Sequence, residues 1–128
     1  MHDVQLVRLG ALAERYFKED PATCLIKLRQ FGETLAQLVA ARAGLFRDTQ
    51  EPQTDLLRRL KFERVIPEKV GELFHHLRLV GNKATHENKG NHTEALTALK
   101  MGRQIGIWFN VGPGGPALRV SRREQDAG

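Results

Sequence analysis

The chain has 128 residues, of which 41% are hydrophobic and 27% are charged, and its formal net charge is +5. This length and composition are typical of one globular domain and exclude wholesale disorder. The sequence contains no eighteen-residue apolar run that could cross a membrane, and its start lacks the basic and then apolar build of a signal peptide. We therefore expect a cytoplasmic protein, whose positive charge permits a nucleic-acid partner without requiring one.

The single cysteine, Cys24, lies within a predicted helix. One cysteine cannot form an internal disulfide, and the sequence contains no Cys-x-x-Cys pair of the kind that holds zinc. The adjacent residues His75 and His76 would point about 100° apart on a helix and so could not both face one metal ion. We therefore interpret Cys24 as a small buried hydrophobic residue, and we predict neither a metal site nor a cofactor.

Apolar residues at helical spacing predict a first helix over residues 3–17 and a longer second helix over residues 21–43. Asp20 precedes a proline and is the expected N-cap of the second helix, because proline suits the first helical position. Gly44 follows the last periodic residue, where a glycine commonly ends a helix. We expect a helix of this length to form the spine of a small domain.

The middle of the chain predicts two further helices. A short third helix covers residues 54–62 and would be capped by Thr54 or Gln53. The fourth helix runs from residue 67 to about residue 80. There the pair Gly81-Asn82 is expected to interrupt or end it.

The segment from Asn91 to Glu94 has the spacing of a capping box, with asparagine in the place of serine or threonine. It predicts the start of a fifth helix that runs to Asn110. Gly102 and Gly106 lie on the apolar side of this helix, and two small residues there would let a neighbouring helix approach closely.

These elements predict the fold class and the domain organisation. Because no segment shows the sustained alternation of a strand, the expected fold is all-α, a compact bundle of about five helices over residues 1–110. Residues 111–128 are rich in glycine and proline at their start and polar at their end. For them we predict a flexible linker followed by a disordered tail.

Short motifs spread over all five predicted helices resemble a known family. In chain order the matching pieces are Tyr16-Phe17, Asp20-Pro21, the run from Cys24 to Ala36, Leu56-Leu57 with Leu60, Pro67, Phe74-His75, Leu77-Arg78, Gly81-Asn82, Ala84, His86-Glu87, Ala95-Leu96, Leu99-Lys100 and Ile107-Trp108-Phe109. This ordered set is similar to the N-terminal helical domain of the R (restriction) subunits of type I restriction-modification systems, and the resemblance covers residues 1–110. That module belongs to a domain-of-unknown-function family related to the HEPN superfamily of helical, nucleic-acid-associated domains.

The resemblance implies an accessory module of DNA restriction or anti-phage defence that docks onto other parts or subunits of a restriction complex. Complete R subunits continue into a nuclease domain and a helicase motor, which do not fit in 128 residues, and the sequence from Val111 onward departs from the family's continuation. We therefore predict that this chain alone is not an enzyme. Because aromatic anchors dominate interfaces, Phe17, Trp108 and Phe109 are the predicted docking residues.

The segment from residue 74 to residue 92 holds four of the five histidines and is the expected place for any site. Many HEPN proteins cleave RNA with an arginine followed by a histidine, usually with fewer residues between them than the seven that separate Arg78 from His86. The alternative hypothesis is therefore a small metal-independent ribonuclease of toxin or defence type. His86 would act as general base or acid on the 2′-hydroxyl, Arg78 would hold the phosphate, and Asn82 would orient either partner. Such sites often form across a dimer, which leaves a homodimer open.

A structural interpretation of the same three residues is a turn. Gly81-Asn82 would end the helix, and the Asn82 side chain would tie down the turn that follows. Arg78 and His86 would then bond to backbone carbonyls there. We favour this interpretation because the Arg78–His86 spacing is long and Gly81 is expected to break the helix.

Basic residues form a further candidate site for DNA or RNA. Arg58 and Lys61 share one side of the third helix, Arg78 lies on the fourth, and Lys83 follows the predicted end of the fourth. Such side chains can bind phosphates. A solvated surface of mixed charge is the favoured interpretation, since acidic residues are interspersed with them.

Overall fold

The computed structural model describes residues 2–111, and their side chains from Val4 to Asn110. This part of the chain contains no strand and consists of five helices: α1 (His2–Tyr16), α2 (Pro21–Arg42), α3 (Gln53–Phe62), α4 (Glu68–Glu87) and α5 (His92–Val111). The predicted all-α fold of five helices is confirmed. The linker was predicted to begin at Val111, but this residue is the last residue of α5. The predicted linker and tail beyond it lie outside the described residues. None of the five helices is both long and apolar enough to cross a membrane.

The helix α2 begins and ends at signals that are local in the sequence. The carboxylate of Asp20 accepts hydrogen bonds from the backbone N–H of Thr23 at 3.1 Å and from its hydroxyl at 2.7 Å, so Asp20 is the N-cap that the sequence predicts. Both bonds hold the pKa of Asp20 below its usual value, and the bond from the hydroxyl has the larger effect. At the other end Gly44 has a φ of +75°, a backbone conformation that glycine adopts without the strain of a side chain.

As predicted, α2 is the spine of the bundle, because it packs against each of the other four helices. The core lies along its length, where Leu25, Leu35 and Val39 are almost completely buried. Cys24 is fully buried among them, which confirms its interpretation as a small hydrophobic residue. The elements that could carry a site are therefore those arranged around α2.

The helices α2 and α4 cross closely at two buried glycines. A Cβ on Gly81 would lie only 2.3 Å from the Cβ of Arg29, and a Cβ on Gly32 would lie 3.6 Å from a methyl of Leu77. The backbone of α4 thus approaches α2 more closely than a side chain at Gly81 would allow. Since residue 77 faces residue 32 and residue 81 faces residue 29, the two helices are antiparallel.

The prediction that Gly81-Asn82 ends the fourth helix is wrong. α4 continues to Glu87 and ends at Asn88, whose φ of 52° lies in the left-handed region that asparagine tolerates. A glycine inside a helix costs about 1 kcal/mol relative to alanine. Here the close crossing with Arg29 gives Gly81 a packing role, so the residue does not act as a helix breaker.

The predicted caps of the two remaining helices have opposite outcomes. At α5 the side chain of Asn91 accepts a hydrogen bond from the Glu94 N–H at 2.8 Å, and the Glu94 carboxylate accepts one from the Asn91 N–H at 3.4 Å. The capping box is therefore confirmed. α3 starts without a side-chain cap, so the predicted cap at Thr54 or Gln53 is wrong. The amide of Gln53 instead donates to the carbonyl of Gly32 on α2, at 3.4 Å.

Candidate functional site

The uninterrupted helix α4 places Arg78, Asn82 and His86 at successive turns of one helix face. We call these three residues together with His75 the α4 polar face. Arg78 and His86 are separated by about 12 Å along the helix axis. His86 is exposed, and Arg78 and Asn82 are half-buried.

Within the α4 polar face, Arg78 contacts a side chain one turn earlier and not a backbone carbonyl. Its Nη2 lies 3.3 Å from Nδ1 of His75. Because a guanidinium has only donors, this contact is a hydrogen bond when Nδ1 of His75 is unprotonated. The Nε of Arg78 is buried and has no hydrogen-bond partner among the described residues.

The favoured turn interpretation of these residues is wrong, because the backbone around them is helical. Asn82 has helical neighbours on both sides and closes no turn. The hydroxyl of Thr85 donates to the carbonyl of Gly81 at 2.9 Å, a bond that lies inside the helix. The α4 polar face therefore presents an amide and an imidazole beside an arginine along a helix surface, a combination that can contact a polynucleotide backbone. Its predicted chemistry stays a prediction.

Neither metal nor thiol chemistry has a built site in the described part of the chain. Among those residues no three His, Cys, Asp or Glu side chains cluster as the ligands of a metal ion would. Burial raises the pKa of the Cys24 thiol to about 11, and the charge of Glu14 adds to this effect. A thiol that stays protonated at neutral pH is a weak nucleophile, so Cys24 serves packing.

The predicted nucleic-acid residues of α3 and α4 include two that are paired with acids. Arg58 lies 3.2 Å from Asp55, and Lys83 lies 3.5 Å from Glu94. Lys61 is exposed on α3. These contacts are typical of a solvated surface with mixed charge, and the binding role of these residues stays a prediction.

Sequence reasoning missed the structural role of Arg59. Its guanidinium forms an ion pair with both carboxylate oxygens of Glu51, and its Nη2 donates to the carbonyl of Leu45 at 2.9 Å. The two charged side chains are only 14% and 11% exposed. The hydrogen bonds of the pair lower the pKa of Glu51 and raise that of Arg59. Arg59 thereby ties the α2–α3 loop to α3, a contact across fourteen positions that no local spacing reveals.

A groove of about 550 Å³ lies between α1 and α5, and we call it the α1–α5 groove. Both helices pack on α2, which forms the floor. Leu28, Phe31 and Leu35 of α2 form the floor. The α1 wall consists of Leu6, Val7 and Gly10. The α5 wall consists of Gly102, Gly106 and Phe109. The groove is therefore mostly apolar.

The two glycines of α5 differ in their surroundings. A Cβ on Gly102 would lie 3.2 Å from a methyl of Leu28, so α5 does approach α2 closely there, as predicted. A Cβ on Gly106 would meet no atom of the described residues within 4 Å. At Gly106 no neighbouring helix approaches, and the space belongs to the groove. The ion pair of Glu14 with Arg103, at 2.9 Å, joins the two walls across it.

The three predicted docking residues are less exposed than that role suggests. Phe109 is 6% exposed, and the Arg42 guanidinium lies 4.8 Å from its ring centroid. Phe17 packs edge-on against His92, with the ring centroids 5.7 Å apart, and Trp108 is half-buried. Their role in an interface stays a prediction.

Comparison with known proteins connects this bundle to restriction enzymes. Residues 12–106 match the sequence profile of a family described as a domain of unknown function, DUF4145. The chain is also similar to the endonuclease subunit of the type I restriction enzyme EcoKI of Escherichia coli strain K12, with 34% identity over 101 residues. This similarity covers 79% of the chain and 8% of the length of that relative. No solved structure matches the chain significantly.

Proposed function

The chain belongs to the DUF4145 family, and we propose that it serves as an accessory, HEPN-like helical domain of a restriction-related protein. In this proposal it docks onto other parts or subunits of a restriction complex and does not itself cut DNA. It would act in the cytoplasm, in DNA restriction or in wider anti-phage defence. The relative's name, a subunit of a type I restriction enzyme, supports partners of this kind.

The observation that carries the proposal is the extent of the similarity. The match takes up 79% of this chain but 8% of the restriction subunit. A segment that makes up so little of a large subunit suits contact with neighbouring domains better than the nuclease or motor activity. A compact bundle with its core along α2 is well suited to such a scaffold role.

Exposed apolar side chains on α1 and α5 support a docking surface on that side of the bundle. Val4, Val7 and Ile107 are 66%, 72% and 63% exposed. Their burial against a partner would be favourable by about 25 cal/mol per Å² of apolar surface. We therefore propose that the docking surface consists of the exposed faces of α1 and α5, including the groove wall at Val7, with the half-buried Trp108 beside it.

A graft into the EcoKI endonuclease subunit tests the proposal. Residues 2–111 of this chain replace the matching segment of that subunit, and a second version carries a deletion of the segment. We expect the graft to copurify with the remaining subunits of the enzyme and to restrict unmodified phage, and the deletion to lose both properties. Restriction by the deletion at the level of the intact enzyme would contradict the proposal.

A pair of variants in the same graft locates the docking surface. Val4→Gln with Val7→Gln makes the exposed face of α1 polar, and Lys69→Gln with Glu72→Gln is a control at exposed positions of α4. We expect only the first pair to weaken copurification. Equal losses from both pairs would place the docking surface elsewhere.

A metal-independent ribonuclease is the second candidate function, and the continuity of α4 favours it. Because the helix does not break at Gly81, Arg78, Asn82 and His86 lie on one face of α4. In this proposal His86 moves the proton of the 2′-hydroxyl while Arg78 binds the phosphate. A second copy of the chain facing the α4 polar face would complete such a site.

Incubation of the purified chain with labelled single-stranded RNA tests this candidate. If the chain is a ribonuclease, His86→Ala and Arg78→Ala should each lower the cleavage rate by about a hundredfold or more, the usual scale of acid–base catalysis. His76→Ala is the control, since His76 lies on the same helix outside the α4 polar face. Cleavage that is equal in all variants, or absent in the wild type, would sink the ribonuclease.

A further inference from the structure

Two arginines on the facing helices α2 and α4 each have a buried nitrogen that the described residues leave without a hydrogen-bond partner. These atoms are the Nε of Arg29 and the Nε of Arg78. Buried polar atoms of folded proteins are nearly always hydrogen-bonded, so such exceptions need a physical explanation. A ligand that accepts hydrogen bonds from both guanidinium groups is one explanation, and it requires the two side chains to lie close together.

The packing of α2 on α4 brings the two arginines to the same edge of the crossing. The aliphatic stem of Arg29 lies against Gly81, where a Cβ would be 2.3 Å from the Arg29 Cβ and 3.0 Å from its Cδ. Gly81 follows Arg78 by three residues, so these two positions are neighbours on the surface of α4. The end of the Arg29 side chain points towards Glu33, with Nη1 3.4 Å from the carboxylate. Because the two helices are antiparallel, this direction leads along α4 towards the level of Arg78.

Acidic side chains balance the positive charge of this pair only in part. Arg29 has one contact with an acid, and its side chain is 24% exposed. Arg78 forms no ion pair with a described acidic residue, and its guanidinium contacts His75 instead. Arg59 also has a buried and unpartnered Nε, but both carboxylate oxygens of Glu51 bind its guanidinium. Because charges interact more strongly where water is partly excluded, Arg29 and Arg78 are suited to an anionic ligand.

A third cation lies farther along the same side of α4. The stem of Lys61 packs on Gly71, where a Cβ would be 2.6 Å from the Lys61 Cδ. Gly71 and Arg78 are seven residues apart, which is two turns or about 10 Å along the helix. Lys61 is exposed and forms no ion pair with a described acidic residue. An isolated phosphate at the two arginines would not reach Lys61, whereas the backbone of a polynucleotide would extend to it.

We propose that Arg29 and Arg78 bind a phosphate group at the edge of the α2–α4 crossing. A guanidinium presents a planar fork of N–H donors that matches the oxygens of a phosphate, and here the two forks come from facing helices. A polynucleotide backbone and a small phosphorylated molecule both offer this chemistry. The proposal concerns binding alone, so it depends neither on docking to a restriction complex nor on cleavage of RNA.

The fluorescence anisotropy of a labelled single strand of DNA, titrated with the full chain at low salt, tests the site. DNA lacks the 2′-hydroxyl that the ribonuclease hypothesis needs, so binding is measured apart from cleavage. Arg29→Gln with Arg78→Gln should weaken binding on the order of tenfold or more, the scale of two lost phosphate contacts. Glutamine keeps the Cβ, Cγ and Cδ that pack on Gly81. Arg8→Gln with Arg15→Gln removes the same charge from exposed positions of α1, and equal losses from both pairs would overturn the proposal.

Glu33→Gln tests the site in the opposite direction. This variant removes the acid that competes with a phosphate for Arg29, so the affinity should rise several-fold. A damaged fold would lower the affinity, which separates the expected result from a loss of structure. Unchanged or weaker binding would show that Arg29 does not contact the phosphate.

A titration with inorganic phosphate distinguishes the two sources of the ligand. Contact should shift the side-chain Nε–Hε signals of Arg29 and Arg78 in a ¹⁵N–¹H spectrum, while those of Arg8 and Arg15 stay in place. DNA binding that Lys61→Gln weakens identifies a polynucleotide. Phosphate-induced shifts without DNA binding identify a small phosphorylated molecule. If the DNA does not bind and the two signals do not shift, the proposal fails.

Discussion

The α2–α4 crossing and the α1–α5 groove place glycines in similar helical surroundings with opposite results. At the crossing, Leu77 of α4 occupies the space beside Gly32, and the aliphatic stem of Arg29 on α2 occupies the space beside Gly81. At the groove, Gly106 faces open space. A glycine on the apolar side of a helix permits close approach, but the neighbouring helix decides whether that approach occurs.

The difference arises from how the two pairs of helices are held together. α2 and α4 are in contact along much of their length, so their side chains interlock. α1 and α5 touch only slightly, where Glu14 meets Arg103, and Phe17 packs on His92 just beyond the end of α1. A wedge of apolar space remains between their other ends.

The largest difference between the two regions should appear on truncation of a leucine. Leu77→Ala empties a fully enclosed site at the crossing and should lower the free energy of unfolding by about 3 kcal/mol or more. Leu99→Ala should cost less, about 2 kcal/mol, because its cavity opens into the α1–α5 groove and can be refilled. Urea unfolding of both variants measures this, and an equal or larger loss at Leu99 would contradict the comparison.

Substitution of a glycine by alanine should change the free energy of unfolding in opposite directions in the two regions. Gly81→Ala forces the new Cβ against the Arg29 Cβ, and the strain should outweigh the gain in helix propensity by about 1–2 kcal/mol. The Cβ that Gly106→Ala adds would meet no atom within 4 Å in the described part of the chain, so this variant should stabilise the chain by about 0.5–1 kcal/mol. Thermal unfolding of the two variants side by side provides the test. A neutral or stabilising Gly81→Ala would mean that the crossing is looser than the structure shows.

Cys24 allows the packing of α1 on α2 near Glu14 to be tested through the pH dependence of stability. Burial raises the pKa of its thiol from 9.0 to about 11, so the folded chain holds this proton more tightly than the unfolded chain. Its contribution to stability is therefore fully present below pH 9 and is lost as the pH rises towards 11. We expect the wild type to lose stability relative to Cys24→Ala over this range, as measured by urea unfolding at pH 8, 9.5 and 11. A constant difference would show that α1 leaves the thiol open to solvent.

The smallest effect is expected at the ion pair that crosses the groove. Glu14 and Arg103 are both more than half exposed, so Arg103→Gln should cost no more than about 0.5 kcal/mol, and the loss should shrink in 1 M salt. A loss well above this value, or one that salt does not reduce, would mean that the pair sets the separation of α1 and α5.

Features that depend on neighbouring residues could be predicted from the sequence. The N-cap at Asp20, the terminating Gly44 and the capping box at Asn91 each rest on hydrogen bonds or backbone conformations within a few positions. The apolar stripes likewise predict five helices and the central place of α2. These features follow from local chemistry, which the sequence carries directly.

Predictions failed where a residue's role comes from a distant part of the chain. In the sequence Gly81 resembles a helix breaker, but in the structure it packs against Arg29 of α2 inside a continuous helix. Because Gly81 was predicted to end the helix, the residues of the α4 polar face were wrongly predicted to form a turn. Arg59 lies next to Arg58 in the sequence and has the same basic character, yet in the structure its guanidinium binds the Leu45 carbonyl and the Glu51 carboxylate.

The sequence by itself thus determined the helices, most of their ends, the buried cysteine and the resemblance to a type I restriction subunit. The tertiary structure alone decided which glycines have a neighbouring helix packed against them and whether α4 continues past Gly81. It also decided that a groove separates α1 from α5. The reason is physical: caps and stripes are set by neighbours along the chain, whereas the space beside a helix is set by whatever packs there.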